Sequence, residues 1–108
     1  VVVDFDSFKQ LNDTRGHAEG DRALVESVRV WREGVRSGDV IGRTGGDEFA
    51  LLLDRTDATT AQRVMQRLHD ASPHPWSWGI AQARPGDTSE ALFARADDIL
   101  YRFKRRRP

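Results

Sequence analysis

The segment 43–53 constrains the fold of this chain more than any other, because two glycines and two adjacent acids interrupt apolar sequence. Short apolar runs on either side of a glycine-containing turn predict a β-hairpin, since glycine tolerates the positive φ angles of tight turns. Asp47 and Glu48 then lie at the tip of the hairpin or just past it. Carboxylates there can hold a hard cation such as Mg²⁺, and the bare backbone of Gly45 and Gly46 allows a ligand to approach closely. We therefore expect this hairpin to form an active site.

The same segment has a simpler interpretation. The tripeptide Gly-Gly-Asp is common in turns, and Asp47 and Glu48 would then be solvated loop acids. The hairpin alone does not decide between these interpretations, and the rest of the chain is needed to choose.

Composition limits the class of protein. A chain of 108 residues suits one domain with a single core. Its 17 basic and 17 acidic residues create no global field that favours nucleic acid or an anionic membrane. The absence of cysteine excludes disulfides and thiolate metal sites and fits a reducing compartment. We expect a cytoplasmic domain spanning residues 1–108 that contacts neither nucleic acid nor membrane. Because the chain opens at Val1, inside an apolar run, we also expect it to be truncated at its N-terminus.

Hydrophobic periodicity predicts an α+β fold, with helices packed on a mainly antiparallel sheet. The predicted order is strand, helices, hairpin, helix, strand, helix. The expected elements are a strand over 1–5, a short helix over 7–14, a helix after Gly20-Asp21 ending near 37–38, the hairpin over 40–53, a helix over 57–71, a strand around 76–80 with one buried face, and a last helix from Thr88 or Ser89.

The C-terminal part carries two more specific expectations. The turn at 84–87 is predicted to be the bend of a final hairpin. The last helix is predicted to bury an apolar face made of Leu92, Phe93, Ala96, Ile99, Leu100 and Phe103.

Several local motifs occur together in one order along the chain. They are Val-Asp-Phe-Asp-Ser-Phe-Lys at 3–9, Asn-Asp at 12–13, Gly-His-Ala-Glu-Gly-Asp at 16–21, Gly-Gly-Asp-Glu-Phe at 45–49, and Ala-Asp-Asp-Ile-Leu-Tyr at 96–101 followed by Lys104. In this respect the chain resembles the GGDEF family, the diguanylate cyclase domains of bacterial signalling proteins. The resemblance covers residues 1–104.

The resemblance implies a fold and a reaction. The fold is similar to the palm of nucleotide cyclases and polymerases, with a ferredoxin-like antiparallel sheet. The family condenses two GTP molecules into cyclic di-GMP and releases two pyrophosphates. Each domain of a homodimer binds one GTP, and the two domains face each other so that each 3′-hydroxyl attacks the other α-phosphate.

The resemblance also implies a metal site that holds Mg²⁺ or Mn²⁺. Asp4 and Asp47 match the family's metal-binding carboxylates, and the carbonyl of Phe5 matches a backbone ligand. A divalent cation offsets triphosphate charge and helps to ionise the hydroxyl. By similarity, Asp47 also accepts the proton of that hydroxyl, and Glu48 belongs to the same catalytic acidic pair.

Substrate contacts follow from the same resemblance. Asn12 and Asp21 match positions that hydrogen-bond guanine, whose N1–H and amino group form a pair of donors that adenine cannot offer. Without the resemblance, they would be a helix-terminal Asn and an N-cap Asp. The positions expected around the phosphates are Phe8, Lys9, Gly45, Gly46 and Lys104.

A regulatory site is implied as well. Arg36 and Asp39 match the family's RxxD inhibitory site, where dimers of cyclic di-GMP bind, and Arg63 or Arg67 is a candidate second arginine. A solvated helix end is the alternative interpretation of this short motif.

The sequence departs from the family pattern in two places. Thr44 replaces a frequent aromatic residue, and Arg107-Pro108 replaces a glycine-arginine pair whose arginine contacts phosphate. The alternative to an active cyclase is a non-catalytic GTP or cyclic di-GMP receptor on the same fold.

Overall fold

The protein is described by a computed structural model over residues 1–106, and Arg107-Pro108 lies outside the described residues. Its strands form one antiparallel sheet in the order β2-β3-β1-β4. The elements are β1 (Val2–Phe5), α1 (Phe8–Arg15), α2 (His17–Gly34), β2 (Val40–Arg43), β3 (Glu48–Leu52), α3 (Ala58–Ala71), β4 (Trp76–Gly79) and α4 (Ser89–Arg105). The predicted α+β fold with a mainly antiparallel sheet is confirmed.

One face of the sheet carries the main core. Side chains alternate between faces along a strand, so Val3 and Phe5 of β1 point to the same side. Trp31 of α2 is fully buried there and packs against Phe5 with ring centroids 5.7 Å apart. Helix α3 contributes to the same core. The buried members are Val3, Phe5, Leu24, Trp31, Phe49, Leu51, Met65, Leu68 and Trp76.

Helix α4 packs on the opposite face of the sheet. Val2 lies there in a small cluster with Ala96 and Leu100 of α4. Ser77 and Gly79 are buried as well, so the prediction that β4 buries one face is wrong. This second face positions the C-terminal half of α4 over the end of β1.

Helix boundaries agree with the prediction except for α2. That helix begins at His17, directly after Gly16 with φ of +87°, and it ends at Gly34. Gly16 alone therefore joins α1 to α2, which explains why the predicted start after Gly20-Asp21 is wrong. Side-chain caps fix the starts of the later helices, since Asp57 and Thr88 accept hydrogen bonds from backbone amides three residues ahead, at 2.8 and 3.0 Å.

Two expectations for the C-terminal part are wrong. In residues 1–106 no strand follows Gly79, so 84–87 is a turn without a hairpin. Three residues predicted to be buried are exposed instead: Phe93, Ile99 and Phe103, at 39%, 45% and 52%. Phe103 is exposed because of length, since a 17-residue helix spans about 25 Å, whereas a four-residue strand spans about 13 Å. Phe93 and Ile99 are exposed because they flank the stripe of α4 that buries Ala96 and Leu100. Along residues 1–106, no helix has the length and apolar character that crossing a bilayer requires.

Candidate functional site

Acidic side chains meet where β1 ends and β3 begins. Asp4 and Glu48 are directly paired across these strands, and paired residues of antiparallel strands project to the same face. The backbone amide of Phe5 donates to the Asp47 carbonyl oxygen at 3.1 Å, which fixes Asp47 beside the end of β1. The sheet therefore brings together the three acids that the sequence singled out, on the face that α4 covers in part.

The proximity of these acids changes their proton affinity. Burial raises the pKa of Asp47, and the neighbouring Asp4 carboxylate raises it further. Burial also raises the pKa of Glu48, and the negative charge of Asp97 on α4 raises it further. Both shifts have the sign expected for carboxylates that are crowded with like charge and partly removed from water. A bound cation would relieve that repulsion.

Lys104 supplies a positive charge to this cluster. Its Nζ lies 2.6 Å from Asp4 Oδ2 and 3.7 Å from Asp6 Oδ1. Asp6 is held in turn by the hydroxyl of Ser77, which donates to Asp6 Oδ1 at 2.8 Å. The lysine that the sequence assigned to the phosphates is therefore placed beside the predicted metal site.

Sequence reasoning missed three residues of this neighbourhood: Asp6, Ser77 and Asp97. The signal for Asp6 was available, because Asp4 and Asp6 are two residues apart at the end of a strand. Asp97 and Ser77 come from α4 and β4, and no local pattern in the sequence connects those elements to the hairpin.

A cleft of about 470 Å³ opens beside the acids. Its lining is Asp4, Glu48, Ala94, Asp97, Asp98, Leu100, Tyr101 and Lys104. A larger cavity of about 630 Å³ lies on the apolar half of the same sheet face, between α4 and the β2-β3 strands, and its lining includes none of the clustered acids. Chemistry that needs carboxylates belongs to the smaller cleft.

Hydrogen bonds from the backbone and from an arginine stabilise the turn at the hairpin tip. The amides of Thr44 and Gly45 both donate to the Glu48 carbonyl oxygen, at 2.9 and 3.1 Å. Arg43 donates to the carbonyl oxygens of Gly45 and Gly46. Neither glycine has a positive φ, so that part of the hairpin prediction is wrong. A Cβ at Gly46 would meet nothing within 4 Å, so the tip is sterically open to a ligand.

The predicted guanine contacts lie on α1 and α2. The Asn12 Oδ1 atom is buried and has no hydrogen-bond partner in the described protein. Asp21 is exposed in α2, and since the helix begins at His17, Asp21 is not its N-cap. Of the two residues assigned to the phosphates on α1, Lys9 is exposed and Phe8 is half-buried against Phe5. Ser27 Oγ, Trp31 Nε1 and Trp76 Nε1 are likewise buried without a partner among residues 1–106, so this feature alone does not assign Asn12 to a ligand.

Arg36 and Asp39 lie apart from the acid cluster, in the connection between α2 and β2. Asp39 accepts from the amides of Arg36 and Asp54, at 2.9 and 2.8 Å. The Arg36 guanidinium donates to the Asp54 carbonyl oxygen and to Thr56 Oγ1. Arg67 of α3 reaches the same region, since it donates to the Gly34 carbonyl oxygen at 2.7 Å. In the free protein the Arg36–Asp39 motif therefore ties this connection to the segment after β3.

A metal ion at this site would need ligands from water or substrate in addition to the protein side chains. Within residues 1–106, no cluster of three or more His, Cys, Asp or Glu side chains is arranged to hold a metal alone. Mg²⁺ is typically bound by one or two carboxylates, with waters and substrate phosphates completing the shell. The adjacent carboxylates of Asp4 and Asp47 fit that mode of binding.

Comparison with known proteins assigns the family. The family model described as "Diguanylate cyclase, GGDEF domain" matches residues 1–108. The chain therefore belongs to the GGDEF domain family, as its motifs predicted.

Curated relatives carry matching names. Diguanylate cyclase DgcM of Escherichia coli is 36% identical over 96% of this chain. Diguanylate cyclase DgcP of Pseudomonas aeruginosa is 36% identical over 97% of it. The chain spans 28% and 17% of the lengths of these two relatives.

Solved structures share the fold. Diguanylate cyclase SiaD of Pseudomonas aeruginosa, solved with its activator SiaC, has a TM-score of 0.89 and 38% identity, covering 96% of this chain and 45% of that one. The GGDEF domain of DgcB from Caulobacter crescentus, solved with c-di-GMP, has a TM-score of 0.87 and 28% identity, covering 96% and 70%. The predicted fold is confirmed by these neighbours.

Proposed function

We propose that this domain is a diguanylate cyclase that condenses two GTP molecules into cyclic di-GMP. The observation that carries the proposal is the clustering of Asp4, Asp47 and Glu48 with Lys104 at one end of the sheet, in a chain of the GGDEF family. Carboxylates with one nearby ammonium suit a metal-dependent transfer of a nucleotidyl group. The curated names of the relatives agree with this reaction.

The metal proposed is Mg²⁺ or Mn²⁺, held by the carboxylates of Asp4 and Asp47 and by the Phe5 carbonyl. When bound, such a cation would neutralise triphosphate charge and lower the pKa of the attacking hydroxyl. The fit rests on the donor set, because two crowded carboxylates present hard oxygen ligands whose repulsion a cation removes.

GTP would bind with its base against α1 and α2 and its phosphates near the hairpin. The Asn12 Oδ1 atom and the Asp21 carboxylate are acceptors that match the N1–H and amino group of guanine. Phe8 and Lys9, at the start of α1, and the open tip at Gly45 and Gly46 would face the phosphates. Lys104 would move from Asp4 onto a phosphate oxygen, since a bound cation would compete for Asp4.

In the reaction itself, the 3′-hydroxyl oxygen of one GTP forms a bond to the α-phosphorus of the other. The bond from that phosphorus to the bridging oxygen breaks, and pyrophosphate leaves with the electron pair. Asp47 accepts the hydroxyl proton. Glu48 adds a second negative charge beside Asp47. The step occurs twice, so two domains must face each other as a homodimer.

Product inhibition is proposed for the Arg36–Asp39 motif. Cyclic di-GMP would bind through the Arg36 guanidinium and the Asp39 carboxylate, with Arg67 as the second arginine because it reaches the end of α2. The ligand would have to replace the contacts that Arg36 makes with Asp54 and Thr56. The c-di-GMP complex of the DgcB domain shows that a related domain binds this nucleotide.

The proposal is tested by incubating the domain, fused to a dimeric coiled coil, with GTP and Mg²⁺ and separating the nucleotides by chromatography. A cyclic di-GMP peak is expected, and it should vanish in Asp47→Ala. Asp70→Ala is a matched control, because Asp70 is an exposed acid on α3 that accepts a hydrogen bond from Gln66 and lines neither the cleft nor the larger cavity. Binding of GTP or cyclic di-GMP without any product would instead support the receptor.

A further inference from the structure

Gly20 lies where α2 packs against α1. A Cβ built on Gly20 would overlap Asn12 Oδ1 and would lie 2.9 Å from Asn12 Cγ and 3.2 Å from Phe8 Cζ. Real Cβ atoms essentially never come within 3.0 Å of another heavy atom. The Asn12 amide therefore occupies the space that any side chain at position 20 would take.

This packing puts two acceptors on adjacent elements. Asp21 follows Gly20 in the chain and is exposed, while Asn12 Oδ1 is buried against the helix without a donor. Gly16 makes the arrangement compact, because its amide donates to the Asn12 carbonyl at 2.8 Å and its own carbonyl accepts from Gly20 at 3.2 Å. Gly20 therefore places the Asn12 side chain against the turn of α2 that also carries Asp21.

We propose that Gly20 is a specificity-determining position, which selects guanine over adenine by leaving room for the Asn12 amide beside Asp21. The inference rests on the proposed function, in which Asn12 and Asp21 bind the base. Gly20 acts through Asn12 and is a positioning residue. Guanine has an N1–H and an amino group on the edge concerned, whereas adenine has an unprotonated N1 and no amino group at that carbon.

Gly20→Ala separates this role from a role in folding. The obstacles to the added methyl are the ends of two side chains, the Asn12 amide and the Phe8 ring, and not helix backbone. We therefore expect the Asn12 amide to rotate away and the Phe8 ring to shift slightly while the helices keep their positions. Alanine is a better helix former than glycine, which favours the fold of the variant. We expect the midpoint of thermal unfolding to stay the same or rise while base selectivity falls.

The test is titration of the chain with 2′,3′-dideoxy-GTP and 2′,3′-dideoxy-ATP in Mg²⁺, by calorimetry. These nucleotides have no 3′-hydroxyl and cannot react. In Gly20→Ala, the ratio of the Kd for dideoxy-ATP to the Kd for dideoxy-GTP should fall about tenfold, which corresponds to about 1.4 kcal/mol. Gly34→Ala is the matched control, because this α2 glycine would meet Leu68 in the core, and its ratio should not change.

The double variant Asn12→Ala/Gly20→Ala shows whether Gly20 acts through Asn12. Asn12→Ala alone should lower the ratio, and adding Gly20→Ala should lower it no further. The double variant should fold even if Gly20→Ala does not, since the obstructing amide is gone. An unchanged ratio in Gly20→Ala, an additive loss in the double variant, or a double variant that fails to fold would each overturn the inference. A wild-type chain that binds neither nucleotide, or both equally, would instead overturn the guanine site of the proposed function.

Discussion

Gly79 sets the distance between β4 and α4, and Gly79→Ala should force them apart. A Cβ at this position would overlap the carbonyl oxygen of Ala96 and would lie 2.7 Å from the amide nitrogen of Leu100. Both obstacles are backbone atoms of a helix, which a change of side-chain rotamer cannot move. The strain must therefore be relieved by shifting α4 away from the sheet.

The magnitude follows from this geometry. Overpacking a core costs about 1–3 kcal/mol, and a clash with helix backbone belongs at the upper end of that range. Replacing a strand glycine with alanine recovers about 0.5–1 kcal/mol. We expect the free energy of unfolding to fall by about 2 kcal/mol, which lowers the Tm of a domain of this size by about 8–16 °C.

The assay is thermal unfolding followed by circular dichroism, with Gly42→Ala as the control. Gly42 is also a strand glycine, but a Cβ there would meet nothing within 4 Å, so its Tm should match or exceed that of the wild type. Since α4 carries Lys104, GTP binding should also weaken in Gly79→Ala and not in Gly42→Ala. Equal Tm values for the two variants would refute the packing argument.

Three further predictions concern the proposed sites. Without divalent metal, Asp47→Asn should raise stability at pH 7 by less than about 1 kcal/mol. The raised pKa values of Asp47 and Glu48 mean that these two carboxyls bind protons more tightly in the folded state, so their contribution to stability should rise as the pH is lowered from 7 towards 4. The stability gained by Asp47→Asn over the wild type should therefore shrink over that range, and a gain that grows would contradict the shift of Asp47. Lys104→Met should tighten the binding of Mn²⁺ alone about fivefold, because a partly exposed ion pair with Asp4 contributes about 1 kcal/mol. The same variant should bind GTP more weakly. Electron paramagnetic resonance measures the Mn²⁺ affinity, and an unchanged affinity would contradict this reasoning. Arg36→Ala should raise the inhibition constant of cyclic di-GMP at least about tenfold with turnover retained, and an unaltered constant would count against the inhibitory site.

Local patterns predicted most of the fold. The apolar run at the N-terminus became β1, and the caps at Asp57 and Thr88 placed the starts of α3 and α4. The start of α2 was misplaced because one glycine with positive φ links it to α1, a turn that leaves little signal in the sequence. The exposure of Phe103 on α4 depends on where the sheet ends, which periodicity cannot show.

The candidate site was also predictable only in part from the sequence. Asp47 and Glu48 were found from a contiguous motif, and the resemblance added Asp4 and Lys104. The pairing of Asp4 with Lys104 joins residues 100 positions apart and depends on how α4 packs over β1. The contribution of Asp97 to the pKa of Glu48 has the same origin, so it could be recognised only from the folded chain.

The most direct test of the central claim is to measure cyclic di-GMP and pyrophosphate in the same reaction, starting from GTP and Mg²⁺ with the dimeric fusion. The account predicts about two pyrophosphates for each cyclic product, and loss of both products in Asp4→Asn and in Asp47→Asn, with folding retained. Undiminished cyclic di-GMP formation by either variant would contradict the assignment of these carboxylates to the reaction.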